Sequence, residues 1–238
     1  MENKNYLSVS ECFYSIQGEG RTTGTPAVFL RLSGCNLLCK SAEWVCDSID
    51  VWRTGVKIDF DKIFDEKMIE ALHKGAHLVL TGGEPALHQK QIFRFLIWFK
   101  NEHSFLPYIE IETNGTIYLS DDFFEILDQI NCSYKLANSG EPLKKRIKMK
   151  SLKRISSHKN YFFKFVINKD LDMEETLETL GEVYEGLIIK SNVYLMPAGE
   201  DQAELSKTRP IVADLCKKHF FNYTERSHIV IWNKKTGV

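Results

Sequence analysis

Segments typical of β-strands alternate with segments typical of α-helices along most of this chain. Six apolar, β-branched runs have the length and composition of buried strands; they span residues 27–32, 76–83, 108–115, 132–137, 161–167 and 192–197. Most of them are separated by segments with apolar residues three and four positions apart, at 60–75, 88–103, 120–130, 172–186 and 209–220. Because parallel neighbours need a crossover connection, this order predicts a mostly parallel sheet with helices between its strands.

The number of strands limits the architecture further. About six strands are too few to close an eight-stranded barrel. The pattern therefore predicts an α/β fold, a partial (β/α) barrel of about six parallel strands, with one domain over residues 1–238. A hydrophobic fraction of 43% can supply its core. Pro210 is predicted to lie in the first turn of the last helix.

The charge composition gives little reason to expect a polyanionic partner. The 31 Lys and Arg residues nearly balance the 32 Asp and Glu residues, so neither nucleic acid nor an anionic membrane is favoured. The basic run 144–154 is interpreted as a solvated face. No apolar stretch is long enough for a signal or membrane-spanning segment, and a cytoplasmic protein is expected.

Three of the six cysteines, Cys35, Cys39 and Cys46, lie in one short stretch. In a reducing compartment such a group more often holds a metal or redox centre than forms a disulfide. Structural zinc sites and iron–sulfur clusters usually take four protein ligands, and three leave a coordination position open. The spacing alone leaves a catalytic iron–sulfur cluster, a zinc site and unliganded thiols as alternatives.

Polar or glycine-rich loops follow four of the predicted strands. The cysteine stretch follows the first strand and TGGEP (81–85) the second, ETNG (112–115) ends the third, and MPAGE (196–200) ends the last. In parallel α/β sheets, ligands bind at the carboxyl ends of the strands. These loops therefore predict a binding site along one rim of the sheet.

A three-cysteine loop after the first strand, followed by GGEP after the second, resembles the radical S-adenosylmethionine (SAM) superfamily. The resemblance implies a [4Fe-4S] cluster held by Cys35, Cys39 and Cys46, with SAM bound to the open iron. The usual spacing there is CX3CX2C, whereas this chain has CX3CX6C. Six intervening residues can still turn back to the cluster, and Trp44 is expected to cover it from water.

A narrower resemblance covers nearly the whole chain. The stretches FYSIQGEGRTTGTPAVFLRLSGCNLLC (13–39), LTGGEPALH (80–88), IEIETNGT (109–116), LMPAG (195–199) and RSHIVIWNKKTGV (226–238) are similar, in order, to the 7-carboxy-7-deazaguanine synthase (QueE) family. That family converts 6-carboxy-5,6,7,8-tetrahydropterin to 7-carboxy-7-deazaguanine with loss of ammonia, using SAM and Mg²⁺, in queuosine-type biosynthesis. It implies a homodimer and a reducing electron donor such as a flavodoxin. The alternatives are a radical SAM activase of another protein and a non-enzymatic metal-binding module.

The resemblance implies a set of SAM-binding residues at the strand ends. Gly82, Gly83 and Glu84 are expected at the amino group of SAM. Further contacts, to the ribose, the carboxylate and neighbouring groups, are expected from Thr113, Asn114, Ser139 and Lys164. A lysine such as Lys164, inside a strand, would otherwise need a buried acid.

Substrate contacts are expected from a second set of residues. The pyrimidine edge is assigned to the stretch Ile16, Gln17, Gly18 and Glu19. Arg31 lies in an apolar strand and would be costly to bury without an anion, so it is expected to bind the substrate carboxylate through two parallel hydrogen bonds. A salt bridge to a neighbouring acid is the alternative. His228 is expected to face either the substrate or the core.

Magnesium prefers hard oxygen ligands and usually keeps several waters. In the family that this chain resembles, a hydroxyl residue that follows the third cysteine and its aspartate binds this metal. That implies Ser48 as the ligand, with the substrate supplying further oxygens. Asp47, which precedes Ser48, could alternatively cap the next turn and take no part in metal binding.

Overall fold

The computed structural model describes residues 5–41, 45–46, 48–168, 170–233, 235 and 237. Within them, nine strands form one sheet. The strands are β1 (Tyr6–Ile16), β2 (Pro26–Leu32), β3 (Val56–Asp59), β4 (His77–Gly82), β5 (Ile109–Thr113), β6 (Gln129–Cys132), β7 (Tyr161–Ile167), β8 (Val193–Pro197) and β9 (Asn222–Tyr223). Their order across the sheet is β3-β1-β2-β4-β5-β6-β7-β8-β9.

The sheet is mostly parallel. Strand β2 and strands β4 to β9 pair in parallel, while β1 pairs antiparallel with β2 and β3. In the described part of the chain the sheet stays open between β3 and β9. The prediction of a partial barrel is therefore confirmed. Beyond the six predicted strands, the parallel part gains only the two-residue β9.

Helices connect the parallel strands and cover the sheet. They are α1 (Ile49–Trp52), α2 (Glu66–His73), α3 (Gln89–His103), α4 (Asp121–Ile126), α5 (Leu143–Arg146), α6 (Met149–Ser156), α7 (Asp170–Val183), α8 (Gln202–His219) and α9 (Ser227–Trp232). Asp65 caps α2 by accepting the N–H of Met68 at 2.8 Å, and Asp201 caps α8 by accepting that of Glu204 at 3.0 Å. None of the helices in the described residues is long and apolar enough to cross a membrane.

Two local predictions are wrong. Pro210 lies inside α8 rather than in its first turn, because Asp201 begins the helix earlier. Pro210 is exposed, so solvent can hydrate the carbonyl group that its missing N–H leaves unpaired. The strand predicted at 132–137 is Gln129–Cys132 instead; its buried Gln129 and Asn131 hid it from an apolar pattern.

The two faces of the parallel strands have different environments. Leu78, Leu80, Phe163 and Phe165 belong to the apolar core beneath the helices. The alternate positions face the inside of the barrel, where they are polar near the carboxyl ends of the strands, as at Thr81, Glu112 and Lys164. The strand pattern thus places the apolar core on one side of the sheet and a polar interior on the other.

Candidate functional site

The three clustered cysteines line one cavity at the carboxyl ends of the parallel strands. This cysteine cavity has a volume of about 170 Å³. Of the other residues predicted from the sequence, it also contains Glu19, Ser48, Gly82, Gly83, Thr113, Asn114 and Lys164. The fold therefore brings residues that are up to 207 positions apart in the chain to one site.

The long spacing between Cys39 and Cys46 is accommodated by a closed loop. Lys40 and Val45 form an antiparallel bridge, and the N–H of Cys46 donates to the carbonyl oxygen of Cys39 at 3.0 Å. Cys46 therefore lies beside Cys39, although more residues separate them than is usual. Trp44 and Asp47 lie outside the described residues.

The cysteines of this cavity are suitable ligands for an iron–sulfur cluster. Burial raises the pKa of Cys35 to about 11, although the N–H of Leu37 opposes it, and burial also raises the pKa of Cys39 against the charge of Lys135. These thiols need a metal to become thiolates near neutral pH. Among the described residues, no three His, Cys, Asp or Glu side chains converge on a single metal ion; a cluster takes its cysteines on different irons.

Two glycines allow the end of β4 to pack against the cysteine loop. Gly82 has φ +148, and a Cβ there would lie 2.3 Å from the carbonyl oxygen of Leu32. A Cβ on Gly83 would lie 2.4 Å from the carbonyl oxygen of Gly34 and 2.6 Å from the Cβ of Cys35. No side chain fits at either position without moving the backbone that carries the first cysteine.

Glu84 is not among the residues that line the cavity, and its expected place at the amino group of SAM stays a prediction. It is fully buried, and burial raises its pKa. Its carboxylate accepts hydrogen bonds from the N–H of Ala86 at 2.9 Å, the hydroxyl of Thr113 at 2.8 Å and the N–H of Asn114 at 2.7 Å. Glu84 therefore fixes the loops after β4 and β5 relative to each other.

Asn114 connects the β5 loop to the cysteine loop. Its amide donates to the Oδ1 of Asn36 at 3.0 Å and lies 3.9 Å from the Sγ of Cys35. Its own Oδ1 accepts from the backbone and the hydroxyl of Thr116. The orientation of Asn114 at the cavity is thus set by protein partners on both sides.

Ser139 is not among the residues that line the cavity, and its expected contact with SAM stays a prediction. It is fully buried in a short turn, where its hydroxyl donates to the carbonyl oxygen of Leu136 at 2.7 Å. Because β6 ends at Cys132, the residues that reach the cavity from this connection are Ser133 and Lys135. The sequence prediction missed both because it extended the strand to residue 137.

Lys164 forms the centre of a buried charge network. Its Nζ donates to the Oε2 of Glu19 at 2.6 Å and to the Oε2 of Glu112 at 3.0 Å, and the Nε of Arg226 lies 3.3 Å from the Oε1 of Glu19. Burial opposes the charge of Lys164, but the two carboxylates outweigh it and raise its pKa. The buried acid that was expected if Lys164 has a structural role is therefore present twice.

The same network shifts the pKa values of its two carboxylates, Glu19 and Glu112, in opposite directions. Burial raises the pKa of Glu19, but the charges of Lys164, Arg226 and His228 outweigh it and lower the pKa overall. For Glu112, burial together with the charge of Glu19 exceeds the effect of Lys164 and raises the pKa. Glu112 and Arg226 were not predicted from the sequence. The available signal for Glu112 was its place at the carboxyl end of a strand, in the stretch ETNG.

A second cavity of about 500 Å³ adjoins the cysteine cavity. The two share several wall residues, namely Glu19, Val45, Cys46, Ser48, Thr81, Gly82, Glu112, Glu200 and Arg226. The rings of Phe13 and Phe29 lie on its wall and stack with centroids 5.0 Å apart. A ligand in the second cavity would therefore lie directly beside one in the cysteine cavity.

Arg31 lines the second cavity and is also paired. Its Nε donates to the Oε1 of Glu11 on the neighbouring strand at 2.6 Å, as the salt-bridge alternative predicted. Among the described residues, no hydrogen-bond partner engages its two terminal amino groups. These groups can therefore accept an anion while Glu11 holds the side chain in place.

The stretch 16–19 forms another wall of the second cavity. The amide of Gln17 donates to Glu112 at 3.3 Å, and its Oε1 accepts the N–H of Glu19 at 3.3 Å. Gly18 packs against His228, because a Cβ there would lie 2.4 Å from the imidazole Nδ1. Ile16 and His228 also line this cavity, so His228 faces the cavity rather than the core.

Ser48 lies at the junction of the two cavities and precedes α1. Its hydroxyl is 3.4 Å from the Sγ of Cys46. A group bound to this hydroxyl would therefore be adjacent to both the third cysteine and the second cavity.

Comparisons with known proteins agree with this geometry. Residues 16–156 match the model of a 4Fe-4S single cluster domain. A 7-carboxy-7-deazaguanine synthase of Halobacterium salinarum is 34% identical over 95% of this chain and 91% of its own length. The synthase of Pyrobaculum aerophilum is 31% identical over 97% of both chains.

The fold also matches a solved structure. The crystal structure of QueE from Escherichia coli superimposes with a TM-score of 0.65 at 20% identity, over 94% of this chain and 95% of that chain. This match supports the partial barrel, and the sequence relatives support the family. The chain belongs to the 7-carboxy-7-deazaguanine synthase family of radical SAM, 4Fe-4S enzymes.

Proposed function

We propose that this protein catalyses the ring contraction of 6-carboxy-5,6,7,8-tetrahydropterin to 7-carboxy-7-deazaguanine with loss of ammonia. The observation that carries the proposal is the direct connection between a three-cysteine cavity and a larger cavity that contains an arginine, an amide and stacked aromatic rings. The names of the relatives supply the reaction. A cluster on Cys35, Cys39 and Cys46 would supply the electron that splits SAM into methionine and the radical that takes hydrogen from pterin C6.

The cysteine cavity provides the proposed SAM site. Gly82 and Gly83 line this cavity, and their backbone is proposed to bind the amino group of SAM. Thr113 and Asn114 are proposed for the ribose, and Lys164 for the carboxylate. Buried donors of this kind orient the sulfonium group and keep water from a reactive intermediate.

The second cavity provides the proposed pterin site. The free amino groups of Arg31 would bind the pterin carboxylate, and Gln17, Glu19 and His228 would face the pyrimidine edge. Glu112 is added to the site because it borders both cavities and has a raised pKa.

Magnesium, partners and location complete the proposal. Ser48 is proposed as the Mg²⁺ ligand because it lies where both cavities meet. A homodimer and a flavodoxin-like electron donor follow from the family. A cytoplasmic location agrees with the described cysteines being free thiols, which suits a reducing compartment.

An anaerobic assay tests the reaction. The reconstituted protein is incubated with the carboxytetrahydropterin, SAM, Mg²⁺ and dithionite, and the products are separated by mass spectrometry. We expect 5′-deoxyadenosine together with 7-carboxy-7-deazaguanine, and neither product from Cys35→Ala. Cleavage of SAM that leaves the pterin unchanged would retain the radical SAM chemistry and refute the assigned substrate.

A further inference from the structure

The basic run 144–154 divides into two groups in the structure. Four of its cations are held by carboxylates: Lys145 by Glu141, Arg146 by Glu175, Lys153 by Glu185, and Arg154 by Asp121. Arg146 is buried, so the interpretation of the whole run as a solvated face is wrong for that residue. Lys144 and Lys148 are exposed, and neither has a carboxylate partner among the described residues. These cations are therefore available to an external partner.

The available cations lie next to the cysteine loop. Glu141 connects the two segments: its Oε1 accepts the N–H of Leu38 at 2.5 Å, and its Oε2 accepts the Nζ of Lys145 at 3.1 Å. A Cβ on Gly140 would lie 2.6 Å from the carbonyl oxygen of Lys40. The start of α5 thus packs directly against the residues on both sides of Cys39.

Exposed apolar side chains accompany these charges. Leu38 is 48% exposed and Leu143 is 60% exposed. The whole chain has a net charge of −1, so this positive surface is a local feature. Leucines surrounded by like-charged residues next to a buried redox ligand are typical of a contact surface for a protein of opposite charge.

We propose that this surface, the α5 face, is the docking site of an acidic flavodoxin that reduces the cluster. The α5 face consists of Leu38, Lys40, Leu143, Lys144, Lys145 and Lys148. This inference rests on the proposed function, because it assumes a cluster on the three cysteines. Acidic residues around the flavin would pair with the lysines, and the apolar edge of the flavin would contact the leucines.

The electron transfer at this face is balanced without bond changes. The anionic flavin hydroquinone loses one electron and becomes the neutral semiquinone, so no proton has to move. The cluster accepts that electron and changes from the 2+ to the 1+ state. Cys39 is buried, and it is the cysteine next to this face, because Leu38 and Lys40 flank it and Glu141 accepts the N–H of Leu38.

Binding of a flavodoxin to the anaerobic holoenzyme tests the proposal. The test variant is Lys144→Glu with Lys148→Glu, and the matched control is Lys217→Glu with Lys218→Glu at the far end of α8, which makes the same change in net charge. Fluorescence anisotropy of labelled flavodoxin gives the affinity at low and high salt. We expect roughly a tenfold loss of affinity and a weaker salt dependence for the test variant only.

A small reductant separates this proposal from the proposed function. With dithionite, the wild type and both double variants should form equal amounts of 5′-deoxyadenosine. Unchanged flavodoxin binding by the test variant, or an equal loss in the control, would overturn the docking site. The docking site would also be overturned if the test variant bound RNA or anionic vesicles more weakly than the wild type but bound flavodoxin equally well. Absence of 5′-deoxyadenosine with dithionite in all proteins would instead overturn the proposed function.

Discussion

Lys40 and Val45 pair as an antiparallel bridge, and this bridge brings the second and third cysteines of the site together. The hydrogen bond between the backbones of Cys46 and Cys39 continues the pairing by one residue. The chain therefore reaches Cys46 through a loop that starts and ends at nearly the same place. The longer spacing is therefore compatible with a third thiol that lies next to the second.

Removal of the inserted residues should leave the cluster intact. Deletion of residues 41–44 joins Lys40 directly to Val45 and gives the spacing CX3CX2C. Because bridged residues are already close neighbours, we expect the iron and sulfide content of the reconstituted protein to match that of the wild type. Cys46→Ala is the control that loses iron. A deletion variant that binds no more iron than Cys46→Ala would contradict this role of the bridge.

Addition of a methyl group should have opposite effects at Gly83, which is tightly packed, and at Gly181, which is not. Gly83→Ala places a Cβ against the backbone of Gly34, so we expect lower iron content and a loss of about 1–3 kcal/mol in the free energy of unfolding. Gly181→Ala, in α7, meets no atom within 4 Å and should stabilise the protein by about 0.5–1 kcal/mol. Chemical denaturation and iron assays measure both; equal behaviour of the two variants would refute the tight packing.

The parallel part of the fold was predictable because its strands are apolar on the face toward the helices. The run 161–167 was identified with its bounds, and those of β2, β4 and β8 were within one residue. Strand β6 was displaced because its side chains serve the polar interior, and local hydrophobicity carries no information about that interior. Strand β1 was missed although Leu7 and Val9 alternate, since Glu11 and Ser15 then interrupt the apolar pattern.

The site was predictable where one residue type is required: the cysteines for their thiols, and Gly83 because the backbone packs too closely for a side chain. The partners of Glu84 and Ser139 were not predictable, because they depend on how separate loops pack after folding. The same holds for the two carboxylates around Lys164: a buried lysine requires an acid, but the sequence does not tell which acid. Long-range contacts of this kind follow from the topology rather than from a motif.

Loss of the Ser48 hydroxyl should change the metal dependence of the reaction. If this hydroxyl binds Mg²⁺ beside the substrate, Ser48→Ala loses most of the stimulation by Mg²⁺, whereas Ser48→Thr keeps a hydroxyl and retains it. Initial rates with and without Mg²⁺ provide the measurement. SAM cleavage in the absence of pterin serves as the control and should be unchanged. Full stimulation of Ser48→Ala by Mg²⁺ would exclude this ligand.

Arg31 should contribute to pterin binding and not to SAM binding. Arg31→Ala removes the free amino groups at the second cavity, and we expect pterin affinity to fall roughly a hundredfold because a charged hydrogen-bonded pair is lost. Arg31→Lys keeps the charge without the planar pair of donors and should be intermediate. Equilibrium binding of pterin and SAM to the reconstituted enzyme distinguishes the two ligands. Unchanged pterin affinity in Arg31→Ala would remove the residue from the substrate site.

Glu110 lies deeper in the barrel than the proposed ligand sites and should make stability depend on pH. It is fully buried, and its carboxylate accepts hydrogen bonds from Thr22 at 2.9 Å and from Asn131 at 2.9 Å, with His77 Nδ1 2.5 Å away. Burial raises its pKa, but these hydrogen bonds outweigh burial and lower it overall. The ionised form is therefore favoured more strongly in the folded state than in the unfolded state.

The sign of the effect follows from this lowered pKa. Stability from Glu110 is fully present above the ordinary carboxyl pKa of about 4.3 and is lost as the pH falls toward the lower pKa of the folded state. Glu110→Gln should cost about 1–3 kcal/mol near neutral pH, and its difference from the wild type should shrink in acid. Denaturant unfolding of the cluster-free protein from about pH 7 to about pH 3 measures this. The exposed Glu70→Gln is the control, and a difference for Glu110→Gln that stays constant over this range would show that the buried carboxylate is not the titrating group.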